Sequence, residues 1–175
     1  ASFPYEIIKT NLLEGKETFK MRFRNFVFHR KEFNTFKMSE EEMAEYVEEW
    51  NKYKPYWIES YVRSLFEFAK FITDNKLNIY SPNNGVLTSA GTLDDQAKKI
   101  IKRAFECEVY NRYGSREVGD MACGTDELKL SVWNHYVEII DSIIYITLLT
   151  NYSMPLIRYE IGDIGEFGDR WGQMK

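Results

Sequence analysis

The stretch Ser39-Glu40-Glu41-Glu42-Met43-Ala44-Glu45-Tyr46-Val47-Glu48-Glu49-Trp50 runs through Asn51-Lys52-Tyr53-Lys54-Pro55 into Tyr56-Trp57-Ile58. Ser39 with Glu42 three residues later forms a capping box, in which the hydroxyl and the carboxylate each satisfy an amide left free at a helix start. Met43, Tyr46, Val47, Trp50 and Tyr53 then recur at helical spacing, with Glu41, Glu45, Glu48 and Glu49 on the other face. Pro55 ends the helix, because the residue before a proline is driven out of the helical region. Tyr56-Trp57-Ile58 reads as a short strand.

The same alternation continues toward the C-terminus. A second helix is expected over residues 62–74, with Val62, Leu65, Phe66, Ala69 and Ile72 inward. The turn Asn83-Asn84-Gly85 leads into a strand at Val86-Leu87-Thr88. A third helix, over about 93–105, places Ala97, Ile100, Ile101 and Ala104 on one face, and Glu108-Val109-Tyr110 follows as a strand. Helix and strand in alternation with short links predict an α/β fold, a parallel sheet flanked by helices (βαβαβ). In such sheets ligands sit beyond the carboxyl ends of the strands. Three loops are expected on that edge: Ser60-Tyr61, Ser89-Ala90-Gly91 and residues 111–119.

After Cys123 the pattern changes to β-rich segments at 128–133, 136–140, 143–149 and 157–161, which predict a smaller antiparallel sheet or barrel. Before Ser39 the chain is basic and aromatic: Lys9, Lys16, Lys20, Arg22, Arg24, Arg30, Lys31 and Lys37 outnumber Glu6, Glu14, Glu17 and Glu32. There Phe19, Met21 and Phe23 alternate with Lys20, Arg22 and Arg24, which predicts a half-buried strand. The expected organisation is a basic N-terminal segment (1–38), an α/β subdomain (39–123) and a β-rich subdomain (124–175).

Composition bounds the function. The 175 residues are 44% hydrophobic and 16% aromatic, enough for a real core, and 23 Lys and Arg against 27 Asp and Glu give a net charge of −4. An acidic chain argues against general nucleic-acid binding, even with the aromatic-basic run at 19–31. No apolar run reaches the roughly 20 residues of a membrane helix, and the start Ala1-Ser2-Phe3-Pro4-Tyr5-Glu6 lacks the layout of a signal peptide. Two cysteines, Cys107 and Cys123, exclude a disulfide framework and point to the cytoplasm. With only two histidines besides, a zinc site of ordinary spacing is hard to build. His29 and His135 have no sequence neighbours that suggest acid–base work.

Two blocks carry chemistry. In Tyr113-Gly114-Ser115-Arg116-Glu117 the glycine allows close backbone approach to a ligand and the tyrosine offers a flat face to a base. Ser115 and Arg116 suit phosphate oxygens, and Glu117 suits Mg²⁺ bridging phosphates. The bland alternative is an ordinary polar turn. In Met154-Pro155-Leu156-Ile157-Arg158-Tyr159-Glu160-Ile161-Gly162-Asp163, Gly162 before Asp163 marks a turn that exposes a carboxylate able to accept both ribose hydroxyls. Here the alternative is a Gly-Asp turn between two strands.

Together these blocks resemble the adenylate-forming superfamily, and its phenylacetate-CoA ligase branch, including relatives linked to capsular polysaccharide biosynthesis. Tyr113-Gly114-Ser115-Arg116-Glu117 is similar to that family's Tyr-Gly-x-x-Glu motif, and residues 154–159 before Gly162-Asp163 to its Met-Pro-Leu-Ile-Arg-Tyr block. Thr88-Ser89-Ala90-Gly91-Thr92-Leu93 resembles its Ser-Gly/Ala-rich loop. Phe36-Lys37-Met38-Ser39 and Tyr53-Lys54-Pro55 fit the capsule-related branch. The order and separations agree over about 33–166.

The resemblance implies that Tyr113 stacks on adenine, that Glu117 holds Mg²⁺ against ATP, and that Asp163 takes the ribose hydroxyls. It implies that Ser89, Ala90 and Gly91 line the acyl and adenine pocket. Arg116 stands where the superfamily usually has Thr or Ser on the α-phosphate. The implied enzyme is an AMP-forming acid–thiol ligase: a small carboxylic acid and ATP give an acyl-adenylate and pyrophosphate, and coenzyme A then displaces AMP. Nothing before Phe33 resembles the family's phosphate loop, and its small C-terminal domain with a catalytic Lys is not matched. The chain is therefore expected to be a piece of such an enzyme, and alone to adenylate poorly or not at all. Two rival expectations are a non-catalytic α/β interaction module derived from such an enzyme and a flavodoxin-like mononucleotide domain.

Overall fold

The computed structural model describes residues 7–11, 19–35, 37–170 and 172–174. Expectations resting on Ala1–Glu6, Lys16, Phe36 or Trp171 lie outside them. The chain divides between Tyr110 and Asn111 into two compact units.

In the first unit the order is β1 (Ile7–Asn11), α1 (Phe19–Val27), β2 (Arg30–Asn34), α2 (Glu40–Tyr53), β3 (Trp57–Tyr61), α3 (Val62–Asp74), β4 (Val86–Ser89) and α4 (Asp95–Phe105). β5 (Val109–Ser115) starts in this unit and ends in the next. The strand order is β2-β1-β3-β4-β5. β1 pairs in parallel with β2 and β3, and β3 with β4. The parallel, helix-flanked sheet read from the sequence is present, with β1, α1 and β2 preceding the expected elements. A 2-1-3-4-5 order is also that of flavodoxin-like sheets, so strand order alone does not separate the two expectations.

Each element has a local cause. α2 starts on the expected capping box, with Glu42 N–H donating to Ser39 Oγ and Ser39 N–H to the Glu42 carboxylate, both at 3.3 Å. It ends on Lys54 in the left-handed region just before Pro55. α4 is capped by Asp94, whose carboxylate accepts from Ala97 N–H at 2.7 Å. Ile8, Ile58 and Val86 lie side by side on neighbouring strands and are fully buried. Trp50 stacks on Phe105 with centroids 5.0 Å apart, and its indole N–H donates to Tyr80 O at 2.8 Å. Burying an indole costs little once its one donor is satisfied.

Residues 19–24 are helical, not the expected strand. Phe19, Phe23 and Phe26 also recur at i, i+4 and i+7, so the same letters satisfy the helical period, and the run continues to Val27. The phenylalanines face outward at 85, 62 and 80% exposure, and Asn25 is the buried residue of the helix. The expected loop at 111–119 is corrected as well. Residues up to Ser115 continue β5, which turns tightly into β6 (Gly119–Gly124) as an antiparallel hairpin. Ser60-Tyr61 is likewise the end of β3, which passes straight into α3.

The second unit holds two antiparallel sheets, consistent with the smaller β-rich part read from the sequence. One has the order β5-β6-β7-β11, with β7 (Leu128–Leu130) and β11 (Gln173–Met174). The other is β8 (His135–Ile140), β9 (Ile143–Leu148) and β10 (Tyr159–Ile164). Val118, Met121, Ala122, Ile144, Ile146 and Met174 form the core between them. β8 and β9 are joined by Asp141 and Ser142, with φ of +51° and +64°. Two left-handed residues make a turn whose twist matches a hairpin, but a side chain there is strained. Ser142→Gly is expected to stabilise this unit by about 0.5–1 kcal/mol, the left-handed cost less glycine's chain entropy. A urea melt followed by tryptophan fluorescence measures it, and a lower midpoint contradicts the turn.

Among the described residues no helix is long and apolar enough to cross a membrane. Both cysteines are free. Burial, with the nearby Glu108 charge, pushes the Cys107 thiol up to about 11, so it stays protonated.

Candidate functional site

The second unit brings the two sequence blocks together. Tyr113 lies near the end of β5, and its hydroxyl donates to Asp163 Oδ2 at 2.7 Å across a separation of fifty residues. Burial first, then the bond to Asp163 and its negative charge, push the Tyr113 phenol far above its ordinary value. It therefore remains a donor, and Asp163 is exposed, with its other oxygen unpaired among the described residues.

Asp163 reaches this place through an irregularity in β10. The register with β9 shifts between Glu160 and Ile164, and Gly162 sits at φ +87°. A bulge of this kind re-aims the side chain that follows it. A second irregularity lies in β5, where the register shifts between Tyr113 and Gly114. Gly114 faces Asp120 across the hairpin, where the backbone leaves no room for a Cβ.

Beyond Gly114 the turn presents Ser115, Arg116 and Glu117. Ser115 Oγ donates to Glu117 Oε2 at 2.6 Å and accepts from Glu117 N–H at 3.3 Å. The Ser115 bond, then the residue's own amide, hold the fully exposed Glu117 carboxyl below its ordinary value, with a smaller contribution from the Arg116 charge. Glu117 is thus anionic at neutral pH. A depressed carboxyl keeps its bonds above its ordinary range and loses them as pH falls through the lowered value. Ser115→Ala removes the largest cause, so the midpoint of the Glu117 carboxyl titration, followed by NMR, is expected to rise. An unmoved midpoint shows that the bond does not form in solution.

No group of three or more His, Cys, Asp or Glu side chains among the described residues is placed to hold a metal. One exposed anionic carboxylate fits a different arrangement, Mg²⁺ held chiefly by phosphates and water with one protein oxygen.

Ser89, Ala90 and Gly91 belong to the first unit, Ser89 as the last residue of β4 and the other two just after it. Ala90 and Gly91 take φ of +53° and +156° and line a cleft of about 290 Å³ with Val62, Arg63 and Phe66. Ser89 is not part of its lining.

Sequence reasoning missed three contacts in the second unit. Arg112 pairs with Asp120 at 3.3 Å, and Arg158 Nε donates to Glu138 at 3.1 Å. His135, whose sequence neighbours suggest no acid–base work, is buried with Nε2 2.8 Å from Val118 O. Its only sequence signal is a polar residue at an inward position of a strand.

The fold is that of part of the adenylate-forming enzymes. The chain superposes on an open conformation of 2-hydroxyisobutyryl-CoA ligase, solved with 2-HIB-AMP and CoA, with a TM-score of 0.73 and 15% identity. The match covers 98% of this chain and 44% of the ligase. Amide bond synthetase McbA from Marinactinospora thermotolerans matches with a TM-score of 0.67 and 10% identity, over 99% of this chain and 41% of that one. The luciferase-like enzyme of the nonluminescent Zophobas morio mealworm matches at 0.64 and 14% identity, over 97% and 47%. Among characterised sequences the chain is similar to Protein CapK of Staphylococcus aureus, 28% identical over 130 residues. That match spans 70% of this chain and 29% of CapK. No protein-family model matches. The chain thus spans less than half the length of the proteins it resembles.

Proposed function

We propose that this chain is the nucleotide-gripping part of an ATP-dependent carboxylate-activating ligase. The Tyr113–Asp163 hydrogen bond carries the proposal. It sets a flat ring and a free carboxylate oxygen side by side, the chemistry that a purine and a ribose diol require.

In this reading the Tyr113 ring lies against adenine and Asp163 accepts from the ribose hydroxyls. Gly114 lets the phosphates approach the backbone, Ser115 and Arg116 donate to phosphate oxygens, and Glu117 is the protein ligand of Mg²⁺. Ser89, Ala90 and Gly91 of the first unit keep the acyl-pocket role that the motif resemblance implies for them. Bound Mg²⁺ supplies charge neutralisation between the phosphates.

In the reaction a carboxylate oxygen of a small organic acid attacks the α-phosphorus of ATP. The bond to the β-phosphate oxygen breaks and pyrophosphate leaves. The thiolate of coenzyme A then attacks the acyl carbon and AMP departs with the electron pair of the former mixed anhydride. Such chemistry is mostly positioning and charge neutralisation. The motif resemblance and the likeness to CoA ligases and CapK support this assignment. A cytoplasmic place and a link to polysaccharide biosynthesis belong to the same proposal. The complete activity is proposed for a protein that includes the parts of the ligases outside the matched region.

The test is a thermal melt with an acyl-sulfamoyl adenosine, which mimics the acyl-adenylate, and with ATP with and without Mg²⁺. A ligand at about 100 times its Kd stabilises the native state by about 2.7 kcal/mol, several degrees for a chain of this size. No shift at saturating analogue overturns the proposal and favours the non-catalytic module.

A further inference from the structure

We propose that His135 is a positioning residue that clasps the β5–β6 turn and so fixes where Glu117 stands. The inference rests on the proposed nucleotide role of that turn, but its geometry does not depend on it.

His135 is the first residue of β8 and is 4% exposed. Its Nε2 lies 2.8 Å from the carbonyl oxygen of Val118. A carbonyl only accepts, so Nε2 carries a proton and donates. Nδ1 is buried and has no hydrogen-bond partner. A buried polar atom without a partner is costly whether it would donate or accept. An apolar side chain would fill the same space without that cost, so the imidazole's particular contribution is the bond to Val118.

Val118 is the residue after Glu117. Its own side chain is 5% exposed and packed in the core of the second unit. The turn is therefore fastened twice at one residue, by the Val118 side chain and by its carbonyl. Among the described residues, the fully exposed Glu117 is held through Ser115 and its own amide, with a smaller pull from the Arg116 charge, all inside the turn. His135 supplies an anchor from seventeen residues away, on the other sheet. A carboxylate on such a short tether keeps its direction only if the backbone beside it does not move.

The test compares His135→Leu, which removes the donor, with His135→Gln, whose amide restores one at the same reach. Amide exchange reads the turn without any ligand. Exchange at residues 116–119 is expected to quicken roughly tenfold in His135→Leu and to return to within about twofold of wild type in His135→Gln, the loss of one buried hydrogen bond. The second readout is the gain in affinity for a non-hydrolysable ATP analogue on adding Mg²⁺. It is expected to fall about as much in His135→Leu while Mg²⁺-free affinity is unchanged, and to recover in His135→Gln.

Unchanged exchange at the turn in folded His135→Leu overturns the proposal, as does equal loosening throughout the second unit. If His135→Leu does not fold, His135→Gln decides: a tight turn supports the clasp and a loose one overturns it. If the wild-type protein shows no Mg²⁺-dependent nucleotide binding, the ligase proposal falls, and the exchange pattern alone still decides the clasp.

Discussion

Replacing Asp163 with alanine is expected to weaken adenine-nucleotide binding about 100-fold. Two hydrogen bonds from ribose hydroxyls to a carboxylate are worth roughly 1.5–3 kcal/mol each, and solvent competition at this exposed position brings the sum toward the lower end. The same change removes the acceptor of the Tyr113 hydroxyl. Tyr113→Phe separates the two losses, because it keeps the ring and drops only the phenol. It is expected to cost no more than about fivefold, the net worth of an ordinary hydrogen bond. Calorimetric titration with AMP measures both. Equal losses in the two variants would mean that Asp163 acts only through Tyr113 and touches no ribose.

Gly114→Ala is expected to destabilise the second unit by about 2–4 kcal/mol, the range for overpacking against atoms that cannot move aside. An added Cβ would press into Gly119 O and lie 2.9 Å from Asp120 Cα, both backbone atoms of the paired strand. Nothing flexible is there to yield, so the end of the hairpin must open. Opening it displaces Tyr113 on one side of Gly114 and the Ser115–Glu117 bond on the other. Stability and nucleotide binding should therefore fall together, seen in a urea melt and in the same titration. An unchanged midpoint would show that β5 and β6 do not pair this closely.

The legible parts of the fold were those with local causes. The capping box at Ser39 and Glu42, the stop at Pro55 and the inward stripe of α3 need only a few neighbouring residues, and the parallel sheet followed from their alternation. α1 was not legible because Phe19, Met21 and Phe23 satisfy a period of two while Phe19, Phe23 and Phe26 satisfy the helical one. Periodicity cannot choose between them over so short a run. β5 outlasted its expected end because Gly114 reads as a turn residue, whereas it is a strand position too close to its partner for a side chain.

The candidate site divides in the same way. Residue types within 113–117 suggested a nucleotide cradle, and Gly162 suggested that Asp163 is exposed. Their meeting depends on two register shifts, one in β5 and one in β10. Such shifts leave little trace in composition. His135 was passed over because its partner is a backbone carbonyl, which carries no sequence signal.

The most direct test of the joint grip on adenosine is a ¹H–¹³C spectrum of the ring-labelled tyrosines, with Tyr113 assigned from the Tyr113→Phe variant and AMP added to saturation. A purine stacked on Tyr113 must shift that ring's resonances through its ring current, and Asp163→Ala must abolish the shift at the same AMP concentration. Tyr113 resonances that stay in place while AMP is bound elsewhere, or not at all, would contradict it.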